Sequence, residues 1–135
     1  MLLWMALTVF KPSNMKNRKV LVLGASKSPN RYSYLVASKL VDEGYIPILV
    51  SNKEGAVAGV SFVNKWPEDI DIDTVTIYLN PSNQSPYVDL LLHAKTKRVI
   101  FNPGAENPIL YNQLKERRIE VLNACTLVLL STHQF

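Results

Sequence analysis

The chain has 135 residues, of which 47% are hydrophobic and 19% charged, at a mean hydropathy of +0.04. That is one globular domain's worth of sequence, and it excludes intrinsic disorder. Fifteen basic against eleven acidic residues leave a net charge of +4, which suits an anionic ligand but is not the clustered footprint of a nucleic-acid binder. A single cysteine, Cys125, excludes an internal disulfide framework, and with only His93 and His133 beside it no zinc site is expected.

Met1 to Phe10 is almost wholly apolar, but it stops at Lys11, short of the roughly 20 residues a spanning helix needs. It also lacks the positive start and small-residue cleavage site of a secretory signal. Residues 1–14 therefore read as an appendage to a domain over 15–135, with Met15 a natural start for a cytoplasmic protein; the alternative is a short segment that packs on the body of the protein or on a neighbouring subunit.

From Lys19 the pattern is regular. Val20 to Leu23 is an apolar run ended by Gly24, a strand buried on both faces. Ser26 to Ser33 is a polar loop holding Pro29; Tyr34, Leu35, Val36, Leu40 and Val41 then recur at helical spacing, with Ser33 as N-cap and Gly44 at the end. Ile46 to Val50 is strand two, and 51–72 is a long connection with a brief extended piece at Ser61–Asn64. Thr74 to Leu79 is strand three. A turn over Asn80–Gln84 leads to a helix opened by Ser85 as N-cap with Pro86 at its first position, running to about Lys95. Strand four is Arg98 to Phe101, a helix covers about Asn107 to Arg117, and strand five is Ile119 to Leu122. The run Leu127–Leu130 is apolar enough to pack, in a state the pattern leaves open.

Strands alternating with helices predict an α/β, Rossmann-like, doubly wound five-stranded parallel sheet of order 3-2-1-4-5, with helices on both faces. Winding then reverses between strands one and four, and the ligand crevice is expected there, between Gly24–Ser33 and Asn102–Asn107.

The first of these loops carries most of the chemistry. Gly24, Ala25 and Ser26 close a strand ahead of a helix, so backbone N–H groups, a hydroxyl and a positive dipole end face one space, a cradle for phosphate. A dinucleotide fingerprint needs two further glycines, where this chain has Ser26 and Pro29, and an acid closing strand two, where it has Ser51-Asn52-Lys53. NAD is disfavoured. Lys27, Arg31 and Lys53 instead suit a ligand with an extra phosphate on or near its ribose, a description that NADP and coenzyme A both meet.

The segment Gly24-Ala25-Ser26, Pro29, Arg31, Ser33-Tyr34 and Gly44-Tyr45 resembles the small stand-alone CoA-binding proteins, which are similar to the CoA-binding domain of the succinyl-CoA synthetase alpha subunit. The resemblance spans roughly Arg18 to Cys125 and implies that the Gly-Ala-Ser loop and the helix behind it hold the CoA pyrophosphate. After strand two the family's Val-Asn-Pro-like turn is met at Val50, or at Asn52 with a one-residue shift. Where many members carry arginine after strand three, this chain has Leu79-Asn80-Pro81-Ser82-Asn83; in place of an Asp-Arg-Cys-like sequence after the last strand stands Asn123-Ala124-Cys125. The candidate set for coenzyme A or an acyl-CoA is thus Gly24, Ala25, Ser26, Lys27, Pro29, Arg31, Ser33, Tyr34, Asn52, Lys53, Asn80, Pro103 and Gly104.

No catalytic group stands out. Neither histidine is spaced to serve Cys125 as a base, and His93 reads as structural or exposed. Tyr111 and Lys115 form a Tyr-x-x-x-Lys pair without the preceding serine of short-chain dehydrogenases, so Tyr111 is expected to pack and Lys115 to be solvated. Glu106 is placed either to contact a ligand amine or to cap the following helix, the cap being the commoner use. The expectation is a cytoplasmic CoA-binding protein without catalysis of its own, a sensor, carrier or accessory subunit, alone, as a homo-oligomer or with an enzyme partner. Its rivals are an NADP-dependent or acyl-CoA-using enzyme component, and an interaction module with a vestigial pocket.

Overall fold

The computed structural model describes residues 18–135, so the appendage expected over 1–14 lies outside it. Five parallel strands form one sheet in the order β2-β1-β5-β6-β7: β1 (Lys19–Leu23), β2 (Ile46–Val50), β5 (Ile72–Ile77), β6 (Thr96–Phe101) and β7 (Glu120–Asn123). A small antiparallel hairpin, β3 (Ala56–Val57) with β4 (Val60–Ser61), stands after β2. The helices are α1 (Tyr32–Asp42), α2 (Pro81–Gln84), α3 (Val88–His93), α4 (Pro108–Glu116) and α5 (Thr126–Ser131), with a 3₁₀ turn at Ser85–Tyr87.

Alternation along β1 divides the core. Leu21 and Leu23 join Val75, Ile77, Val99 and Phe101 under α3 and α4; Val20 and Val22 meet Val36 and Leu40 of α1 and Leu130 of α5 on the other face. The Rossmann-like architecture is thus as expected, and the late run left open is the helix α5.

One strand takes a different place. The segment expected as strand three, running from 72 to 77 rather than 74 to 79, pairs directly with β1, Val20 opposite Thr74. The outer position beyond β2 is held by a single parallel rung: Val63 N–H donates to Leu49 (2.8 Å), and Ser51 N–H donates to Val63 (3.0 Å). Counted as the third strand, that rung gives 3-2-1-4-5 from the edge, with β7 beyond. Burial explains the assignment: residues 74–77 are almost wholly buried and suit the sheet interior, whereas Val63 is 43% exposed and suits an edge.

Three helix boundaries also differ. The residue before α1 is Arg31, so Ser33 is not its N-cap but lies buried in its first turn. The helix expected from Ser85 is three pieces, opened by Asn80 and Pro81 as α2. Pro86 has no N–H for the helical ladder, and the chain there tightens to 3₁₀ before α3 begins. Asn107, not Glu106, caps α4, its side-chain oxygen accepting from Leu110 N–H at 3.2 Å. Glu106 turns back to accept from Gly104 N–H at 2.7 Å.

Candidate functional site

Because the sheet is parallel, the loops after β1, β2, β5 and β6 all open at its carboxyl edge, and every candidate residue lies in or beside one of them. Winding reverses between β1 and β5, so the loop facing Gly24–Ser33 directly is Tyr78–Asn80. The loop at Asn102–Asn107, expected to face it, stands one strand further out.

Gly24 has φ +94°, and a Cβ there would come within 3.0 Å of Leu79 Cδ2 and 3.4 Å of Leu79 N. The glycine therefore serves the turn and the close approach of the β5 loop. The N–H groups of Gly24 and Ala25 both donate to Val50 O, at 3.0 and 2.9 Å, which ties the loop to β2 and leaves neither for a ligand. Ser26 Oγ accepts from Ser28 N–H at 3.1 Å, and Ser28 O accepts from Arg31 N–H, so the loop is folded on itself. Lys27 lays its stem beside Gly55, where an added Cβ would meet Lys27 Cδ at 3.2 Å. Pro29 and Arg31 are exposed, while Tyr34 packs on the core.

At the start of α1 the N-cap residue Arg31 makes no side-chain capping bond, and no acid occupies the first turn. The positive dipole end therefore stands open, with Lys27 and Arg31 adding charge of the same sign. Among the described residues the ion pairs are Arg18–Asp73 and Lys39–Glu43, so Lys27, Arg31 and Lys53 have no acidic partner there. Asn52 and Lys53 are exposed beyond β2, and Lys53 N–H donates to Ser51 Oγ at 3.1 Å. Asn80 is committed to its own helix, accepting from Asn83 N–H (3.1 Å) and Ser82 Oγ (2.8 Å). Pro103 and Gly104 form an exposed turn at the next strand.

Beneath these loops lies a buried amide network that the sequence pattern did not mark. Asn102 donates to Thr76 Oγ1 (2.7 Å) and Ile77 O (3.0 Å) and accepts from Thr126 N–H (2.8 Å), while Thr76 and Thr126 share a hydrogen bond of 2.8 Å. Gln84 donates to Leu79 O (2.8 Å) and Ala105 O (2.7 Å) and accepts from Asn107 Nδ2 (2.9 Å). The loops after β5, β6 and β7 are held together by these two side chains. Tyr78 Oη is buried beside them and makes no hydrogen bond among the described residues, and desolvation pushes its pKa well above the usual phenol range.

Cys125, a partly exposed free thiol, ends the loop after β7 at the carboxyl edge. His93 closes α3 just before β6 begins, and His133 follows α5, where Phe135 reaches Tyr45 at 5.3 Å and Arg98 at 4.4 Å. Thiol and imidazoles thus stand at opposite edges of the sheet. Tyr111 packs on the core, its hydroxyl donating to Val121 O at 3.3 Å, and Lys115 is exposed. Among the described residues no group of three His, Cys, Asp or Glu could hold a metal ion, and no helix is long and apolar enough to cross a membrane.

Fold and loops together define a Rossmann-like α/β domain with the loops after β1, β2, β5 and β6 gathered at the carboxyl edge of its sheet. A family profile described as CoA binding domain matches residues 18–131, and the chain belongs to that family. A solved structure described only as an uncharacterized protein is 46% identical, with a TM-score of 0.83 over 87% of this chain and 98% of that one. Two others share the fold alone. One is cell-free ID.343 from Thermus thermophilus, 23% identical with a TM-score of 0.77 over 97% of this chain and 98% of that one. The other is a hypothetical protein from Pyrococcus horikoshii OT3, 24% identical with a TM-score of 0.73 over 87% and 82%. No curated protein matches.

Proposed function

We propose that this chain binds coenzyme A or an acyl-CoA at the carboxyl edge, as a binding, sensor or accessory protein that does no chemistry of its own. The observation that supports the reading is unpaired positive charge on the carboxyl-edge loops: a helix start whose N-cap side chain makes no capping bond, no acid in its first turn, and Lys27, Arg31 and Lys53 without acidic partners among the described residues. Like charges and an open dipole end disfavour one another unless an anion joins them. A CoA pyrophosphate fits the start of α1 and the Ser26–Lys27 backbone. The phosphate on its ribose fits Lys27 and Lys53, at the end of β2 where an NAD site needs an acid. The wide separation of Cys125 from both histidines supports a role without nucleophilic catalysis.

The test is a melting scan of ligand-stripped protein against each nucleotide at matched ionic strength. A ligand that binds only the folded state stabilises it by about 2.7 kcal/mol at a hundredfold excess over Kd. For a domain of this size that is a rise of about 10 °C. The expected order is CoA or acyl-CoA first, NADP smaller, and NAD near zero. A larger shift with NADP would favour an enzyme component, and no shift with any of them an interaction module. Arg31→Glu or Lys53→Glu should weaken CoA binding and flatten its salt dependence; unchanged affinity at low salt would reduce these side chains to a solvated face.

A further inference from the structure

Away from the crevice, a groove of about 830 Å³ lies between the connection 64–71 and α3. Those segments lead into β5 and β6, so it sits toward the amino edge of the sheet, across the molecule from the loops just described. Its floor is apolar: Trp66 and Tyr87 rest partly buried on the core, while Ile70 and Leu90 stay 37% and 42% exposed. Its rim carries Glu68, Asp69, Asp71 and Asp89 against Lys65 and Lys95, four negative charges to two positive with His93 neutral. A local balance of −2 in a chain of net +4 sets this surface apart. Neither ion pair among the described residues involves these four carboxylates.

We propose that this groove docks a cationic peptide segment of a partner protein, with apolar side chains seated over Ile70 and Leu90 and Lys or Arg side chains against the carboxylates. Charge complementarity selects a basic partner on a chain that otherwise repels one. The exposed aliphatic floor selects a peptide over a bare polyamine, which would meet the carboxylates and leave Ile70 and Leu90 wet. The site is independent of the nucleotide reading, since no residue is shared between them.

The experiment titrates the full chain into a labelled peptide of alternating leucine and lysine pairs, followed by fluorescence anisotropy. The expected result is saturable binding that weakens as salt rises, with no binding of the same peptide carrying glutamate for lysine. The exposed pair Asp71→Lys with Asp89→Lys should weaken binding by about tenfold or more, as should Leu90→Ser alone, with melting temperatures close to that of the unaltered chain. Absence of binding, or equal binding by these variants, overturns the proposal. Displacement of the peptide by spermidine at equal affinity overturns it in favour of an amine site. Sedimentation of the unaltered chain as a dimer that the same substitutions dissociate overturns it in favour of a second copy.

Discussion

Gly24 and Arg118 both occupy left-handed backbone, at φ +94° and +64°, and they predict opposite responses to substitution. At Gly24 a valine would carry a strained backbone and push against Leu79. Gly24→Val is expected to cost about 2–3 kcal/mol, read as a lower urea midpoint in the ligand-free protein. An unchanged midpoint would mean that the turn has no need of glycine. Arg118 closes α4, with its N–H to Lys115 O and Ile119 N–H to Leu114 O, the bonds that Gly44 and Tyr45 repeat at the end of α1. Arg118→Gly relieves the strain of a side chain there and should raise stability by up to about 1 kcal/mol; a lower midpoint would show that unfolded-chain entropy outweighs the strain. Tyr78 adds a pH response. Its hydroxyl is buried with no hydrogen bond among the described residues, and desolvation raises its folded pKa, so the neutral form is favoured in the native state. The associated stability is complete below the unfolded phenol value near 10 and is lost as pH rises above it. Tyr78→Phe should therefore flatten the fall in melting temperature above about pH 10 while changing neutral-pH stability little. An unchanged alkaline profile would place the titration elsewhere.

Between elements, the carboxyl-edge loops after β5, β6 and β7 owe their positions to Asn102 and Gln84. Asn102 joins the end of β5 to the start of α5, and loss of its side chain would strand the buried Thr126 N–H, while Thr76 Oγ1 keeps Thr126 Oγ1 and Ile77 O keeps only the Asn102 backbone N–H at 3.3 Å. Asn102→Ala is expected to cost about 2–4 kcal/mol, measured by denaturant unfolding. A loss under about 1 kcal/mol would mean that water replaces the amide. Nothing in the pattern Asn102-Pro103-Gly104 distinguishes a buried amide from an exposed turn, because what buries it is α5, whose own state the sequence left open. The stretch 80–87 misleads for a different reason. It offers two proline starts, Pro81 and Pro86, each preceded by a capping residue, and only the packing of Gln84 against Leu79 and Ala105 selects the first.

Across the whole molecule, the order of strands decides which loops meet. Continuous apolar runs such as Val20–Leu23 and the alternation of strands with helices were enough for a parallel, two-faced sheet, since each is a local consequence of what a buried strand can contain. The position of β5 beside β1 is not local. A strand after a long connection can add at either side of the sheet, and only the rung at Val63, with the burial of 74–77, closes one of the two options.

The sequence alone determined the elements along the sheet, the turn at Gly24-Ala25-Ser26 and the basic residues in the loops that follow β1 and β2, because backbone preference, hydrophobic period and charge are properties of short segments. The tertiary structure decided that Leu79, not a ligand, fills the space beside Gly24, and that Val50 takes the first two loop N–H groups. It also decided that the helix start at Arg31 is left uncapped while buried amides hold the facing loops. Those are contacts between residues far apart in the chain. Their partners are chosen by competition for the same buried volume and the same hydrogen-bond donors, which no short segment contains.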